Sequence, residues 1–198
     1  MTAAPAPAET AQAFLAKVTA GWNNLKTYDC TITAHEVKGD TVQDRVYHYS
    51  FSKPLDTRAE IVAGDGRGSL GIWRGGDRVR GHRGGLLRAF TLNVPLNSHL
   101  ATTLRGATFA QTNLGAILQH LRSVASAVHL NEDAEDVRLT VKIDDPATTG
   151  GITKEIFYFG KGYLPVKYEQ FEGDRLVNRV EYSDMKIDVV FPPRYFEI

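Results

Sequence analysis

Few side chains in this sequence stand at spacings that support covalent chemistry. Cys30 is the sole cysteine, which excludes an intrachain disulfide and a cysteine-based zinc site. The histidines His35, His48, His82, His99, His120 and His129 are scattered, with no H-x-x-x-H or H-E-x-x-H pair among them. That pairing is what would put two imidazoles on one helical face toward a metal, so no metal site is expected. A Gly-x-Ser-x-Gly nucleophile elbow is absent from the sequence. His35-Glu36 and Asp144-Asp145 read as exposed polar residues at strand ends. Gly66, Gly68 and Gly71 match G-x-G-x-x-G, but a dinucleotide site needs a helix to start there and present its N-terminus to the pyrophosphate. Ile72-Trp73-Arg74-Gly75-Gly76 follows instead and reads as strand and turn. The glycines are expected to form a hairpin loop; no cofactor and no catalytic residues are assigned.

The arginines are more suggestive. Arg67, Arg74, Arg78, Arg80, Arg83, Arg88 and Arg105 fall between residues 66 and 105, where Asp77 is the only acid and lysine is missing. This stretch is basic within a chain whose 23 Lys+Arg equal its 23 Asp+Glu. Two readings stand. The charges are solvated strand faces that discourage edge pairing, or Arg67, Arg74, Arg78, Arg80 and Arg83 dock anionic lipid headgroups or an acidic, membrane-associated protein partner. Nucleic acid is not an expected partner, because aromatic side chains for base stacking are sparse there.

The elements that carry these residues follow from periodicity. A length of 198 residues with 42% hydrophobic and 23% charged side chains suits one globular domain. No apolar run approaches the ~20 residues of a membrane helix. Residues 1–8 are Ala/Pro-rich and read as a flexible tail, with a single domain over 9–198. The tail is expected to be the start of a mature exported chain, an initiator methionine replacing its signal segment; a cytoplasmic chain with a short tail is the alternative. Phe14, Val18, Trp22 and Leu25 mark one face of a helix over 9–26. Tyr28, Cys30, Ile32 and Ala34 then alternate with polar residues as in a half-buried strand. A strand over 42–53 carries Tyr47, Tyr49 and Phe51 on one face, and shorter strands follow at 57–63 and 70–73. Gly75-Gly76 and Gly84-Gly85 suggest hairpin turns around residues 77–83. Thr112 is the expected N-cap of a second helix, with Leu114, Ile117, Leu118, Leu121, Val124 and Val128 at helical spacing. Residues 131–136 read as an acidic surface loop. Val137, Leu139, Val141 and Ile143 alternate again, and 152–159, 163–171 and 174–187 continue as strands.

Consecutive hairpins with only two helices imply an α+β, mainly antiparallel meander that curls, covered on its concave side by the two amphipathic helices. Unless they fill that side, an apolar cavity remains.

The order of these signals resembles the LolA/LolB-like superfamily of lipoprotein carriers, especially exported bacterial relatives. The helix marked by Trp22, Leu25 and Tyr28, the glycine-punctuated hairpins from Trp73 to Gly84, and the lone second helix carry the likeness. Its most specific part is the ending at 164–191, with a Leu164-Pro165 strand start and a Tyr-x-Asp-x-x-x-Asp segment at Tyr182, Asp184 and Asp188. The resemblance implies an incomplete β-barrel with a helical lid, sheltering acyl chains in the periplasm. The expected ligand is a lipid or an acylated lipoprotein bound by a monomer. From periodicity, Phe14, Trp22, Ile117, Leu118 and Leu121 would line the lid side, and Ile32, Tyr49, Phe51, Ile61, Leu139, Val141, Val166 and Tyr168 the sheet side. An interaction or signalling module with a filled interior is the alternative.

Overall fold

The computed structural model describes residues 10–124, 128–132 and 137–198; the expected tail at 1–8 and most of the acidic stretch at 131–136 lie outside them. Helix α1, Ala11–Asn24, begins where Thr10 accepts a hydrogen bond from the Ala13 amide at 3.1 Å, an N-cap that satisfies a free first-turn donor. It buries Phe14, Leu15 and Val18. Six strands follow: β1 Thr27–Lys38, β2 Thr41–Ser52, β3 Asp56–Gly64, β4 Leu70–Trp73, β5 Arg78–His82 and β6 Leu92–Pro95. Helix α2 is Leu114–Ser123, and β7 Val128–Glu132, β8 Val137–Lys142, β9 Lys154–Phe159, β10 Pro165–Glu172 and β11 Arg175–Ile187 complete the chain.

All eleven described strands form one antiparallel sheet in the order β6-β5-β4-β3-β2-β1-β11-β10-β9-β8-β7. It is two meanders joined where β1 pairs with β11. Among the described residues β6 and β7 are not joined, so the curved sheet stays an open, incomplete barrel. The chain passes from one edge to the other across the concave face, carrying α2 on the way.

Period-two alternation sorts the side chains between faces. Tyr28, Cys30 and Ile32 of β1 pair in register with Phe51, Tyr49 and Tyr47 of β2, which builds the aromatic floor of the concave side. At the other end of the sheet, α1 and α2 lay Phe14, Leu15, Val18, Leu118 and Leu121 against Val128, Leu139, Val141, Phe157 and Phe159. A smaller cluster of Val37, Ile152 and Val177 packs separately.

The Tyr182, Asp184, Asp188 segment acquires a physical role. The β1–β11 register shifts between Asp29 and Thr31, opposite Asp184, whose φ is 53°. Asp188 has the same φ; its carboxylate accepts from the Lys26 amide at 3.1 Å and its own amide donates to Thr27 O at 2.8 Å. Aspartate tolerates this left-handed backbone better than most residues, and the bulge it permits sharpens the local twist.

Three local expectations are corrected. Asn113, not Thr112, caps α2, accepting from the Ala116 amide at 2.9 Å. Thr112 instead closes a preceding 3₁₀ turn at Phe109–Gln111, and donates to Phe109 O. The helix stops at Ser123 and Val128 opens β7, because an apolar residue at helical spacing is equally at home in a strand. Gly84-Gly85 does lie in the hairpin between antiparallel β5 and β6, but in a long connection with a 3₁₀ turn at Gly85–Ala89 instead of a tight turn, and β6 is an edge strand of four residues.

Gly71 on β4 leaves the space that the Phe109 ring occupies: a Cβ there would stand 2.5 Å from Phe109 Cζ. Gly71→Ala is expected to lower the free energy of unfolding by about 1–3 kcal/mol through overpacking, measurable by urea denaturation.

Candidate functional site: a roofed cavity on the concave face

A cavity of about 380 Å³ lies over the β1–β6 half of the sheet. Ile32, Tyr47, Tyr49 and Ile61 form its floor, Val180 and Tyr182 of β11 one wall, and Leu100, Phe109 and Ile117 its roof. Irregular chain at 96–113 supplies most of that roof. Two groups clamp it to the sheet. Glu36, only 4% exposed, accepts from Thr103 Oγ1 at 2.7 Å and from the Leu104 amide at 2.9 Å. Arg105 donates to Val37 O at 2.6 Å and to Glu172 Oε1 at 2.6 Å. Glu36 is therefore buried, not an exposed strand-end residue; it continues the inward parity of Tyr28, Cys30, Ile32 and Ala34, which was the available signal.

Burial sets the electrostatics of the floor. It pushes the Tyr49 phenol up to about 12 and raises Tyr182, Tyr168 and Tyr47 as well, so these rings stay neutral. Cys30 is likewise pushed up to about 12 by burial and by neighbouring Asp29, leaving an unreactive thiol. Charge gathers at the rim, where Arg83 and His99 are exposed beside the cavity.

The structure brings Ile32, Tyr49, Ile61, Ile117 and Tyr168 together around this cavity. Trp22, Leu118 and Leu121 line a separate space of about 180 Å³ under the helices, which Ile117 also borders. Phe14, Phe51, Leu139 and Val141 are at most 2% exposed and belong to the packed core; Phe51 stacks on Tyr28 with ring centroids 5.1 Å apart. Val166 is half-buried on β10 and borders neither cavity. The helices thus leave only the smaller space beneath them, and the larger cavity lies over the other half of the sheet. Roof residues Leu100 and Phe109 went unassigned because irregular chain carries no periodicity.

The arginines also divide. Arg83 borders the cavity, whereas Arg74, Arg78 and Arg80 border a groove with Arg194 and Glu197 of the C-terminal segment. The strand pleat requires this, since Val79 and Gly81 of β5 are buried and Arg78 and Arg80 between them are exposed. Arg74 pairs with Asp56 at 3.2 Å. Arg67 sits on the loop before β4, its carbonyl packed closely against Gly84.

One further cluster is structural. Ser50 donates to Asp29 at 2.5 Å and lies 3.0 Å from the Tyr195 hydroxyl, while His48 bonds the same carboxylate at 2.9 Å. The serine hydroxyl is fully buried and committed to the Asp29 carboxylate, which closes it to a substrate. Among the described residues no group of three or more potential metal ligands is assembled, and no helix is long and apolar enough to cross a membrane.

The chain is similar to the crystal structure of lipoprotein LppX from Mycobacterium tuberculosis, at TM-score 0.50 and 13% identity over 92% of this chain and 99% of that one. A LolA superfamily protein from Nitrosomonas europaea aligns over 96% of this chain and 99% of its own at TM-score 0.48 and 14% identity. The fold is LolA-like. A DUF1329 family protein from Desulfovibrio piger aligns over 96% of this chain and 98% of its own, also at TM-score 0.48 and 14% identity. No protein-family model and no curated protein sequence matches the chain. At 13% identity the likeness to LppX speaks for the fold alone, and the ligand has to be argued from the cavity.

The helix side of this LolA-like sheet carries a titrating contact. His120 lies 2.5 Å from Glu155, which also accepts from Tyr168 Oη at 2.7 Å and Gln170 Nε2 at 2.9 Å. The hydrogen bond to Glu155 raises the His120 value above its ordinary 6.5. Burial alone would raise Glu155, but hydrogen bonds from His120, Gln170 and Tyr168 outweigh it and hold the carboxyl below 4.5. The histidine's contribution is complete below 6.5 and is lost as pH rises through its raised folded value. That of Glu155 is present above 4.5 and is lost as pH falls through its lowered folded value. Thermal melting from about pH 5 to about pH 9 should show stability falling on the alkaline side of this window, and His120→Gln should flatten that limb.

Proposed function

We propose that this protein is a periplasmic carrier or sensor that shelters a lipid, or the acylated end of a lipoprotein, in the cavity over β1–β6. The observation that carries this reading is the preformed space of about 380 Å³ with a mainly apolar lining. Its size falls within the ~300–1,000 Å³ typical of small-molecule sites. An acyl chain with about ten buried methylenes gains ~8 kcal/mol from leaving water, before the cost of immobilisation. Arg83 and His99 at the rim suit an anionic headgroup left outside. Arg67, Arg74, Arg78 and Arg80 are the surface for a membrane-associated partner. Entry and release go through the roof at 96–113, which is held by Glu36, Arg105 and a small apolar cluster of Ala101 with Trp73 and Val79. The likeness to a protein named as a lipoprotein supports an exported carrier.

Native mass spectrometry of protein purified without detergent tests this. The wild type is expected to carry a bound mass of several hundred daltons. Ala34 borders the cavity, so Ala34→Trp should shed that mass while the protein still melts cooperatively. Leu118 and Val141 are unsuitable probes, since both are buried in the helix-side core and a charge there would unfold it. A wild-type protein that purifies empty and takes up no added lipid favours the interaction module and removes the carrier.

A further inference from the structure

Polar side chains cross the concave face in a single row. The register sets Asn178 of β11 opposite Glu36 of β1, Gln43 of β2 on the other side of Glu36, Gln170 of β10 opposite Asn178, and Glu155 of β9 opposite Gln170. Hydrogen bonds along the row run in one direction. Glu155, held in its charged form beside His120, can only accept, so Gln170 must present its amino group there, donating at 2.9 Å. The Gln170 carbonyl then faces Asn178 and accepts from its Nδ2 at 2.9 Å. Asn178 has no choice of orientation left: its carbonyl oxygen points away from Gln170.

That oxygen has no partner. Asn178 Oδ1 and Gln43 Oε1 are buried without a hydrogen bond among the described residues. Asn178 is only 8% exposed and borders the cavity together with Glu36. The Glu36 carboxylate cannot help, since it is itself an acceptor already bonded to Thr103 and Leu104. Buried unpaired acceptors are rare and costly, and two of them flank one carboxylate here. What the row lacks is a donor.

We infer that the cavity takes an aliphatic ligand bearing a hydroxyl group, and that the hydroxyl donates to Asn178 Oδ1. This deepens the carrier reading and rests on it. Asn178 Oδ1 and the Glu36 carboxylate, side by side in the cavity lining, also select against a ligand that places an anion against them. An anionic group is admitted at the rim, beside Arg83, and excluded from the row.

Displacement of Nile red by three probes tests the inference: dodecanol, its isomer undecyl methyl ether, and dodecanoate. The alcohol and the ether have the same atoms and differ in the donor. Dodecanol is expected to displace the dye at about fivefold lower concentration than the ether, with dodecanoate weakest. Asn178→Leu should abolish the alcohol–ether difference and leave displacement by the ether unchanged. Equal displacement by alcohol and ether from the wild type overturns the inference while the carrier reading stands, and this comparison needs no variant. Tightest binding by dodecanoate overturns it too, as does a folded Asn178→Leu protein that keeps the preference for alcohol. Failure of every probe and of the dye to bind removes both readings.

Discussion

The concave face of an eleven-stranded curved sheet must be withdrawn from water, and helices of 14 and 10 residues are too small to cover it. Their main contact is at the β7–β9 end, where Phe14, Leu118 and Leu121 interlock with Leu139, Val141 and Phe157, while Trp22 and Leu114 reach the Tyr28 and Phe51 rings of β1 and β2. The β1–β6 end receives irregular chain instead. A helix presents a dense stripe of side chains to its sheet, whereas a loop presents a few and must also satisfy its own backbone. The loop therefore stands off the floor, and the cavity is what remains beneath it.

The two covers are fastened by the same device. Glu155 and Glu36 belong to one polar row across the sheet, and each directs a buried carboxylate toward the cover above it. Glu155 takes His120 from α2, and Glu36 takes Thr103 and Leu104 from the roof. A buried carboxylate without its partners is strongly destabilising, so each fixes where its cover lands more than it adds to stability. The difference lies in what surrounds them: the helix contact is backed by an apolar core, while the roof contact borders open space.

The opposite face has its own coverings. Ser50 is buried there beside Asp29, His48 and Tyr195, and Val37 and Val177 pack against Ile152. Strand pleating puts Arg78 and Arg80 of β5 on this outer face, while Arg83 follows the strand and turns to the other side of the sheet. Charge that is contiguous in sequence reaches the cavity mouth at Arg83 and the outer groove at Arg74, Arg78 and Arg80.

Alternation and helical spacing are local properties, and they sufficed for most of the architecture. Tyr28, Cys30 and Ile32, or Leu139 and Val141, announce strands without reference to any distant residue, and their number and order imply a curled antiparallel sheet with two helices. The ending with Tyr182, Asp184 and Asp188 marked the LolA-like resemblance, although its bulge became visible only once β1 was paired with β11. Which half of the concave face the helices would fill was not legible, since that depends on the crossing from β6 to β7. Phe14, Leu139 and Val141 look as suited to a cavity wall as Ile32 and Ile61 do. Only packing distinguishes an apolar side chain that meets another from one that meets a void, and only register discloses that Glu36 stands between Asn178 and Gln43, whose amide oxygens are unpaired among the described residues.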